Sequence, residues 1–468
     1  MNAAQTLLQA GAAHATALEC GSEKLTYEAL RQRVRQAAGA WQELGLRAGG
    51  RVIVLAPDSI DWVVAYLGVI WAGGVAIGVN PRLATSELAP IVSESEVSFV
   101  WCEAESVALL RPLLAELALP TELVASGPGE SAWAAQLARS PEIEAVLQDE
   151  QAPALWIGTS GTTGASKGVV HAQRVALQPH SFAAGLLELS AADRLYASSK
   201  LFFAYALGNS LLAGLRAGAT VILDRQWPDP ERVLEMVRQH GPSLFFCVPT
   251  LYSKMLQSRV AAQLRGSSIR YCVSAGESLP AVVRKAWLEA TGLAIVSGYG
   301  TSETMCLMLY SQDDSGLLQI SPRVQLRFDT EVEATLPQRI WLRSSSVAVG
   351  YWKRPQAQAD GFEDGWYRPG DMFLRRSDGQ LEFAGRMDDM LKISGRWVST
   401  LWVEQALTSA AADSVTQLAT LRSSQHLCKH DASPAPMLGA INVPADGPRL
   451  AFPTCEIVLQ PSPFMAQG

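Results

Sequence analysis

The stretch Thr159–Gly168, which reads TSGTTGASKG, is the most informative part of the sequence. The apolar segment Ala154–Ile157 precedes it and Val169–His171 follows it, so strand-like ends enclose a run of hydroxyl side chains, glycines and one lysine. Glycines let backbone N–H groups turn toward an anion, hydroxyls add neutral donors, and the lysine adds a point charge. The stretch therefore predicts a loop that binds a polyphosphate, and so a nucleotide.

The spacing within this loop differs from that of the common P-loop, which has the pattern G-x-x-x-x-G-K-[ST] and leads into a helix. Here the spacing is Gly161-x-x-Gly164-x-x-Lys167-Gly168, and two β-branched valines follow. An ordinary P-loop ATPase is therefore disfavoured. Hydroxyl and glycine density alone also fits a flexible polar surface loop, but the lysine, the flanking strand-like segments and the later motifs disfavour that alternative.

The bulk composition is that of a globular protein with a large domain and a smaller one, since 468 residues exceed one typical domain and 48% of them are hydrophobic. A formal net charge of −7 argues against a nucleic-acid partner bound through a basic face. Seven scattered cysteines without a C-x-x-C pair predict reduced thiols in a cytoplasmic protein and no zinc site. The segment Met1–Gly11 has no basic head followed by an apolar block, so no signal peptide is expected.

One uncharged segment, Trp62–Val79, is long enough to raise the question of a membrane span. Four glycines interrupt it, and Asp58 and Asp61 lie close before it. This pattern predicts a buried helix followed by a buried strand, so we expect no membrane association.

Helical and strand-like blocks alternate along the chain and predict an α/β fold with a large N-terminal domain of parallel-rich sheets flanked by helices. Tyr27–Leu44 has helical spacing. Strands are expected at Arg51–Leu55, Val97–Trp101, Ala219–Leu223, Ser243–Val248, Ile269–Val273 and Ala294–Val296. From near residue 320, a small β subdomain is predicted from Val324–Phe328, Glu331–Ala334, Arg339–Leu342 and Leu381–Ala384. Beyond about Ser423 the periodicity is too weak to predict a fold.

Three further blocks carry candidate chemistry. Val296–Thr304 (VSGYGTSET) follows an apolar strand, and ligands bind at that edge of a parallel sheet, where Glu303 could hold Mg²⁺ or lie in solvent. Asp371, in a Gly/Pro turn, could accept from two sugar hydroxyls or cap its own backbone, and in isolation the second reading is favoured. The charged block Gly385–Arg396 suggests a domain junction, although alone it fits a solvated linker.

Taken in this order over Leu25–Leu407, the blocks resemble the adenylate-forming superfamily of acyl-CoA synthetases, luciferases and peptide-synthetase adenylation domains. Ser274–Glu277 resembles the adenine-side strand of that superfamily. Lys200–Ser210 (KLFFAYALGNS) more closely resembles the acyl-pocket helix of benzoate- and anthranilate-CoA ligases. Aromatic and small residues on one helix suit a flat aryl ring, while an ordinary core helix is the alternative.

The resemblance implies a role for each matching residue. For the β- and γ-phosphates of ATP it implies Thr159, Ser160, Gly161, Thr162, Thr163, Gly164 and Lys167. It implies that Ser302 contacts the α-phosphate, that Glu303 coordinates Mg²⁺ and that Tyr299 stacks on adenine. It places Gly276, Glu277 and Gly300 beside the nucleotide, with Asp371 and Arg386 at the ribose. For the aryl acid it implies Phe203, Ala204, Tyr205, Gly208, Ala275, Gly276, Gly300 and Cys306.

The resemblance also implies a domain plan, with a large adenylate-forming domain at residues 1–385 and a small, mobile α+β domain at 386–468 that looks atypical or shortened. Asp388 resembles the hinge about which the small domain rotates, and Ser394 and Gly395 resemble the loop that lines a thiol tunnel. The superfamily's terminal lysine motif has no match after Lys392, since the only later lysine, Lys429, lies in LCKH. A truncated or frame-shifted end, a degenerate enzyme, or compensation by Lys167 or Lys392 would each explain this.

The implied reaction has two steps, in which ATP and an aromatic carboxylic acid give an acyl-adenylate and CoA then gives the thioester. A close alternative is an enzyme that loads the aryl group onto the phosphopantetheine of an acyl carrier protein, and a third is a weakened acyl-adenylate-binding protein. Cys306 stands where such ligases often have histidine, so it is either a specificity residue or a core cysteine. The exact acid and the oligomeric state, including a homodimer, stay open.

Overall fold

The computed structural model describes residues 1–127, 132–159, 167–313, 315–329, 337–393, 396–399, 450–451 and 456–457. The chain forms two compact units, of which the first comprises Met1–Asp329 and Ile340–Pro369 and the second Thr330–Arg339 and Gly370–Gly468. The predicted domain boundary after residue 385 stays a prediction.

Strands make up much of both units. The first sixteen strands belong to the first unit and are β1 (Thr16–Cys20), β2 (Glu23–Thr26), β3 (Arg51–Leu55), β4 (Val75–Gly78), β5 (Phe99–Glu103), β6 (Glu122–Ser126), β7 (Pro153–Thr159), β8 (Lys167–Ala172), β9 (Arg194–Ala197), β10 (Thr220–Leu223), β11 (Leu244–Cys247), β12 (Tyr271–Ser274), β13 (Ile295–Tyr299), β14 (Leu309–Ser311), β15 (Gln319–Ile320) and β16 (Gln325–Phe328). Strand β17 (Gln338–Arg343) has its first two residues in the second unit and the rest in the first. The remaining strands of the first unit are β18 (Gly350–Tyr351), β19 (Phe362–Glu363) and β20 (Trp366–Tyr367). Those of the second unit are β21 (Asp371–Arg375), β22 (Leu381–Arg386), β23 (Met390–Ile393), β24 (Arg396–Ser399), β25 (Leu450–Ala451) and β26 (Glu456–Ile457).

The first unit also contains α-helices. They are α1 (Ala3–Leu8), α2 (Tyr27–Glu43), α3 (Ile60–Trp71), α4 (Thr85–Ser95), α5 (Val107–Leu117), α6 (Ala132–Arg139), α7 (Ser181–Leu186), α8 (Ala204–Ala206), α9 (Ala213–Ala217), α10 (Pro230–His240), α11 (Pro249–Gln257), α12 (Ala281–Thr291) and α13 (Pro355–Gly361). A π-helical turn, Leu207–Leu212, joins α8 to α9. Short 3₁₀ turns lie at Ala104–Ser106, Gln173–Ala176, Ala261–Leu264 and, in the second unit, Met387–Asp389.

Two large sheets organise the first unit. One has seven strands in the order β18-β8-β7-β4-β3-β5-β6, and the other has nine in the order β15-β14-β13-β12-β11-β9-β10-β1-β2. The inner strands of both sheets pair in parallel, whereas β7–β8, β8–β18 and β13–β14 pair antiparallel. Since helices cover their faces, inner strands such as Arg51–Leu55 are buried on both sides and read as continuous apolar runs.

The predicted fold class is confirmed by this architecture: a mixed α/β first unit built on parallel-rich sheets, and a smaller unit that contains β-sheet. Three of the four strands predicted after residue 320 form, as β16 (Gln325–Phe328), β17 (Gln338–Arg343) and β22 (Leu381–Arg386), while β19, β20 and β21 were not predicted. The predicted strand at Glu331–Ala334 lies outside the described residues, as does most of the chain after Ser399.

The uncharged segment Trp62–Val79 forms α3 followed by β4, as predicted, and both elements are buried. Helix α3 packs closely against α2, because a Cβ atom on Gly68 would lie 2.6 Å from the Cβ of Ala37. Across the described residues, none of the helices has the length and apolar character that crossing a bilayer requires.

Candidate active site

The predicted phosphate loop connects the two antiparallel strands β7 and β8, so it leads into a strand and not into a helix. Thr159, the last residue of β7, pairs with Lys167, the first residue of β8. The base of the hairpin is supported from one side by aromatic rings, since a Cβ atom on Gly168 would meet Trp156 at 3.2 Å and Trp352 at 3.5 Å. The loop residues Ser160, Gly161, Thr162, Thr163 and Gly164 lie outside the described residues.

Lys167 and Glu303, the two charged groups predicted to act on the triphosphate, meet at one tyrosine. The Nζ atom of Lys167 lies 5.4 Å from the ring centroid of Tyr351, a cation–π contact. The Tyr351 hydroxyl donates to Oε1 of Glu303 at 2.6 Å. The structure therefore brings together residues that are far apart in sequence and places them around the base of the phosphate loop.

Glu303 lies in a tightly folded loop that follows β13. The Thr301 amide donates to Oγ1 of Thr304 at 2.9 Å, and that hydroxyl lies 3.1 Å from the carbonyl oxygen of Cys306. A Cβ atom on Gly300 would lie 2.7 Å from the same carbonyl oxygen, so only glycine fits there. The loop holds the Glu303 side chain 8% exposed, with one carboxylate oxygen bonded to Tyr351.

This arrangement fits a magnesium ion held jointly by protein and phosphate oxygens. A carboxylate with one hydrogen-bonded oxygen keeps lone pairs for a hard cation, and Mg²⁺ in phosphate-transfer sites usually takes only one or two carboxylates from the protein. Within the described part of the chain, no three His, Cys, Asp or Glu residues cluster as a complete metal site. Glu303 is thus suited to share a metal with the phosphates of a nucleotide.

A buried histidine fastens the Glu303 loop to strand β8. His171 is fully buried, with Nε2 at 2.8 Å from the carbonyl oxygen of Ser302 and Nδ1 at 3.1 Å from that of Ser346. A neutral imidazole carries one N–H and can donate to only one of these carbonyls. Burial lowers the pKa of His171 to about 4, although the hydrogen bonds to the carbonyls of Ser302 and Ser346 act to raise it. The ring is therefore neutral near pH 7.

His171 and Tyr351 are site residues that the sequence analysis did not identify. His171 was noted only as part of the strand after the loop, and nothing local marks it as a partner of Ser302. The signal for Tyr351 is the aromatic pair Tyr351–Trp352 followed by Pro355, but its importance depends on the pairing of β18 with β8.

The residues predicted at the adenosine lie at the carboxyl ends of neighbouring strands. Strands β12 and β13 pair in parallel, with Ser274 opposite Ser297, so Gly276 and Tyr299 follow the same sheet edge. Gly276 has φ +91°, which favours glycine, and the exposed Glu277 accepts from Oγ1 of Thr250 at 2.7 Å. Their contact with a nucleotide stays a prediction.

The predicted pocket helix at Lys200–Ser210 begins later than expected, because Lys200–Phe203 forms a turn and the helix starts at Ala204. Asp58 and Asp224 cause this difference. The Leu201 amide donates to the carboxylate of Asp58 at 3.1 Å, and the buried Lys200 ammonium donates to the carbonyl oxygen of Asp224 at 2.6 Å. These contacts keep Lys200–Phe203 out of the helix that the resemblance predicts.

The predicted pocket residues lie on α8, the π-helical turn and the loops facing them. The Tyr205 hydroxyl donates to the carbonyl oxygen of Val273 at 3.0 Å, which fixes its ring, and Phe203 is 47% exposed. Ala204 and Ala275 are buried. Gly208 is expected to leave space for a ring, but packing explains the glycine. A Cβ atom at this position would lie 2.4 Å from the carbonyl oxygen of Met305.

Cys306 is a buried thiol that faces the backbone. Its Sγ donates to the carbonyl oxygen of Pro179 at 3.5 Å, and burial raises its pKa to about 12. Asn209 joins this loop to the pocket helix, since its side chain accepts from the Leu307 amide at 3.2 Å and donates to the carbonyl oxygen of Tyr205 at 3.0 Å. The alternatives of specificity residue and core cysteine both remain.

The second unit holds the remaining predicted residues. Asp371 starts strand β21, and not a turn as predicted, because it pairs with Arg386 on β22. Asp388 lies exposed in the 3₁₀ turn that follows, and Lys392 lies on β23. The predicted tunnel residues Ser394 and Gly395, and Lys429, lie outside the described residues.

Comparisons with known proteins identify the family and agree with the fold. Residues 8–352 match the family model of the AMP-binding enzymes, and the chain belongs to this family. It is similar to the 3-hydroxybenzoate–CoA ligase of Aromatoleum sp. (strain CIB), with 36% identity over 88% of this chain and 82% of that protein. It is also similar to the benzoate–CoA ligase of Thauera aromatica, with 34% identity over 87% of this chain and 80% of that protein.

The chain is also similar in fold to solved structures of CoA ligases. A crystal structure of an anthranilate–CoA ligase in complex with anthranoyl-AMP matches with a TM-score of 0.80 and 28% identity, covering 87% of this chain and 81% of that one. The predicted superfamily and the closer resemblance to benzoate- and anthranilate-type ligases are both confirmed.

Proposed function

We propose that this protein is an ATP-dependent aryl-CoA ligase that activates a benzoate-, hydroxybenzoate- or anthranilate-like acid through its acyl-adenylate. One observation carries the proposal: the ammonium of Lys167 and the carboxylate of Glu303 contact the same tyrosine at the base of the phosphate loop. This arrangement supports neutralisation of a triphosphate, and the relatives named above are CoA ligases for aromatic acids.

In the first step an oxygen of the acid's carboxylate attacks the α-phosphorus of ATP. The bond to the β-phosphate bridging oxygen breaks, and pyrophosphate leaves. Lys167 would lie against the departing phosphates and Ser302 against the α-phosphate, so the chain acts by positioning and by charge neutralisation. Glu303 would hold Mg²⁺, which supplies further neutralisation of phosphate charge when bound.

In the second step a thiol attacks the acyl carbon of the adenylate and AMP leaves with the bonding electron pair. Exclusion of water protects the acyl-adenylate from hydrolysis between the two steps. The predicted roles of Tyr299, Gly276 and Glu277 at adenine remain part of the proposal. So do the roles of the second unit's Asp371 and Arg386 at ribose, of Asp388 as hinge and of Lys392.

The substrate class is tested by measuring pyrophosphate release with benzoate, aminobenzoates, hydroxybenzoates and short fatty acids. We expect release with at least one aromatic acid and little with the fatty acids, because the relatives named above are ligases for aromatic acids and the resemblance implies that Ala204 and Tyr205 line the acyl pocket. Release with fatty acids alone would show that the aryl interpretation of Ala204 and Tyr205 is wrong.

Free CoA is the proposed acceptor. A carrier-protein phosphopantetheine would use the same adenylate, so the two acceptors are compared by supplying each with purified acyl-adenylate and measuring thioester formation. We propose a cytoplasmic location from the cysteine pattern, and a homodimer as one oligomeric state to be tested by light scattering.

The weakened-enzyme alternative follows from the lysine motif that has no match after Lys392. It predicts slow adenylation beside normal thioester formation from supplied acyl-adenylate. Pre-steady-state rates of the two half-reactions separate the alternatives, since a fast first half-reaction would exclude it.

A further inference from the structure

We propose that Tyr351 is a positioning residue that orients Glu303 and Lys167 around the metal-bound triphosphate. The proposal rests on the proposed function, because it assigns a task within the same site. Tyr351 does not itself reach a reacting atom in this account. It acts through the two charged side chains that it contacts.

A hydrogen bond joins the Tyr351 hydroxyl to the Glu303 carboxylate. At 2.6 Å it has the length of a charge-assisted O–H···O⁻ bond. It engages Oε1, so it holds the carboxylate in one orientation, and Oε2 would be the oxygen that holds the metal. Burial, together with the Glu303 charge, raises the pKa of Tyr351 far above its ordinary value. A carboxylate only accepts hydrogen bonds, so the Tyr351 hydroxyl is the donor in this contact.

The Tyr351 ring also contacts the ammonium of Lys167. Strand β18 pairs with β8 so that Tyr351 stands opposite Val169, and the next amide, of Trp352, donates to the carbonyl oxygen of Gly168 at 2.9 Å. Lys167 and Val169 are two residues apart on β8 and share a face. The strand register thus brings the Lys167 ammonium over the Tyr351 ring, where the ring's negative face favours the charge.

Hydrogen bonds hold the backbone around Tyr351 in place. The Gln358 side chain accepts from the Tyr351 amide at 2.9 Å and donates to the carbonyl oxygen of Val349 at 3.2 Å. Only glycine fits at position 350, because Oε1 of Gln358 lies 1.8 Å from where a Cβ atom of Gly350 would be. The Ala348 amide also donates to the carbonyl oxygen of Glu303 at 2.8 Å. Both the backbone and the side chain of Glu303 are therefore bound to one short segment.

The test compares ATP binding by calorimetry in the presence and absence of Mg²⁺ for the full chain and two variants. Tyr351→Phe removes the hydroxyl and keeps the ring against Lys167. Tyr310→Phe is the matched control, since the Tyr310 hydroxyl donates to Oε1 of Gln319 at 3.0 Å across the paired strands β14 and β15, and this hydrogen bond is exposed. A hydrogen bond to a charged group is worth about a tenfold factor in affinity or more.

We expect Tyr351→Phe to weaken ATP binding about tenfold with Mg²⁺ and to leave binding without Mg²⁺ unchanged, while Tyr310→Phe alters neither. In pyrophosphate release, the Mg²⁺ concentration for half-maximal rate should rise in Tyr351→Phe, with kcat near the wild-type value at saturating Mg²⁺. An unchanged Mg²⁺ dependence would overturn the proposal. So would an equal loss of affinity with and without Mg²⁺, which marks a merely structural role. If the wild-type protein itself bound no ATP, the proposed function would fail as well.

Discussion

Replacing Gly300 by alanine tests whether the tight loop after β13 sets the position of Ser302 and Glu303. The added Cβ atom would lie 2.7 Å from the carbonyl oxygen of Cys306, whereas ordinary contacts begin at 3.4 Å. That neighbour is backbone, so it cannot rotate away and the loop must move by about 0.7 Å. Overpacking of this kind costs about 1–3 kcal/mol of folding free energy. A misplacement approaching 1 Å in a site lowers the rate by up to about 100-fold.

The assay pairs a urea-unfolding curve with a measurement of pyrophosphate release from ATP in the presence of benzoate. Gly68→Ala serves as the control, because its Cβ atom would lie 2.6 Å from the Cβ of Ala37, in the contact between α3 and α2. Both variants should lose similar stability, but only Gly300→Ala should lose activity, by roughly 10- to 100-fold. Equal activities at matched stability would refute the reasoning that the loop's geometry sets the site.

Three further predictions concern buried and charged groups. In His171→Gln the unfolding free energy should depend less on pH: the wild-type histidine, with its pKa lowered to about 4, contributes stability above pH 6.5 that falls by about 2 kcal/mol on going to pH 5. Asp58 has the opposite sign, because burial raises its pKa to about 7, so its contribution is present below pH 4 and is lost as the pH rises through 7. Asp58→Asn should therefore flatten the decline between pH 4 and 7 in urea titrations, and an unchanged slope would contradict this. Lys167→Gln should slow pyrophosphate release by about 100-fold, whereas Lys254→Gln, on the exposed side of α11, should not; equal rates would argue against a role at the phosphates.

The sheets of the first unit could be predicted from the sequence because their strands are buried on both faces. Arg51–Leu55 is a continuous apolar run between polar turns, and it forms a strand with those bounds. Tyr27–Leu44 is predicted as a helix because its apolar residues recur at helical spacing. The structure has α2 at Tyr27–Glu43, and Thr26 caps its start by accepting from the Ala29 amide at 3.2 Å. In these elements the local pattern and the final packing agree.

The start of the pocket helix could not be predicted, because it depends on a contact that is distant in sequence. The resemblance to the acyl-pocket helix predicts a helix from Lys200, but the Asp58 carboxylate, 143 residues earlier than Leu201, accepts from the Leu201 amide. Tertiary hydrogen bonding therefore sets where the helix begins. A sequence window cannot contain this information.

The same reason limits the prediction of the site. The motifs identify Lys167 and Glu303, but the residues that hold them in place come from strand pairing. His171 lies 131 residues from Ser302, and Tyr351 lies 48 residues from Glu303. Both are ordinary strand residues by local criteria, and their tasks depend on which strands are neighbours.

The most direct measurement is the product balance in a reaction of the purified protein with benzoate, or the best aryl acid of the panel, together with ATP, Mg²⁺ and CoA. Chromatography should find one AMP and one pyrophosphate for each aryl-CoA, and Glu303→Gln should suppress all three together. ADP in place of AMP, or no thioester despite ATP consumption, would contradict the account.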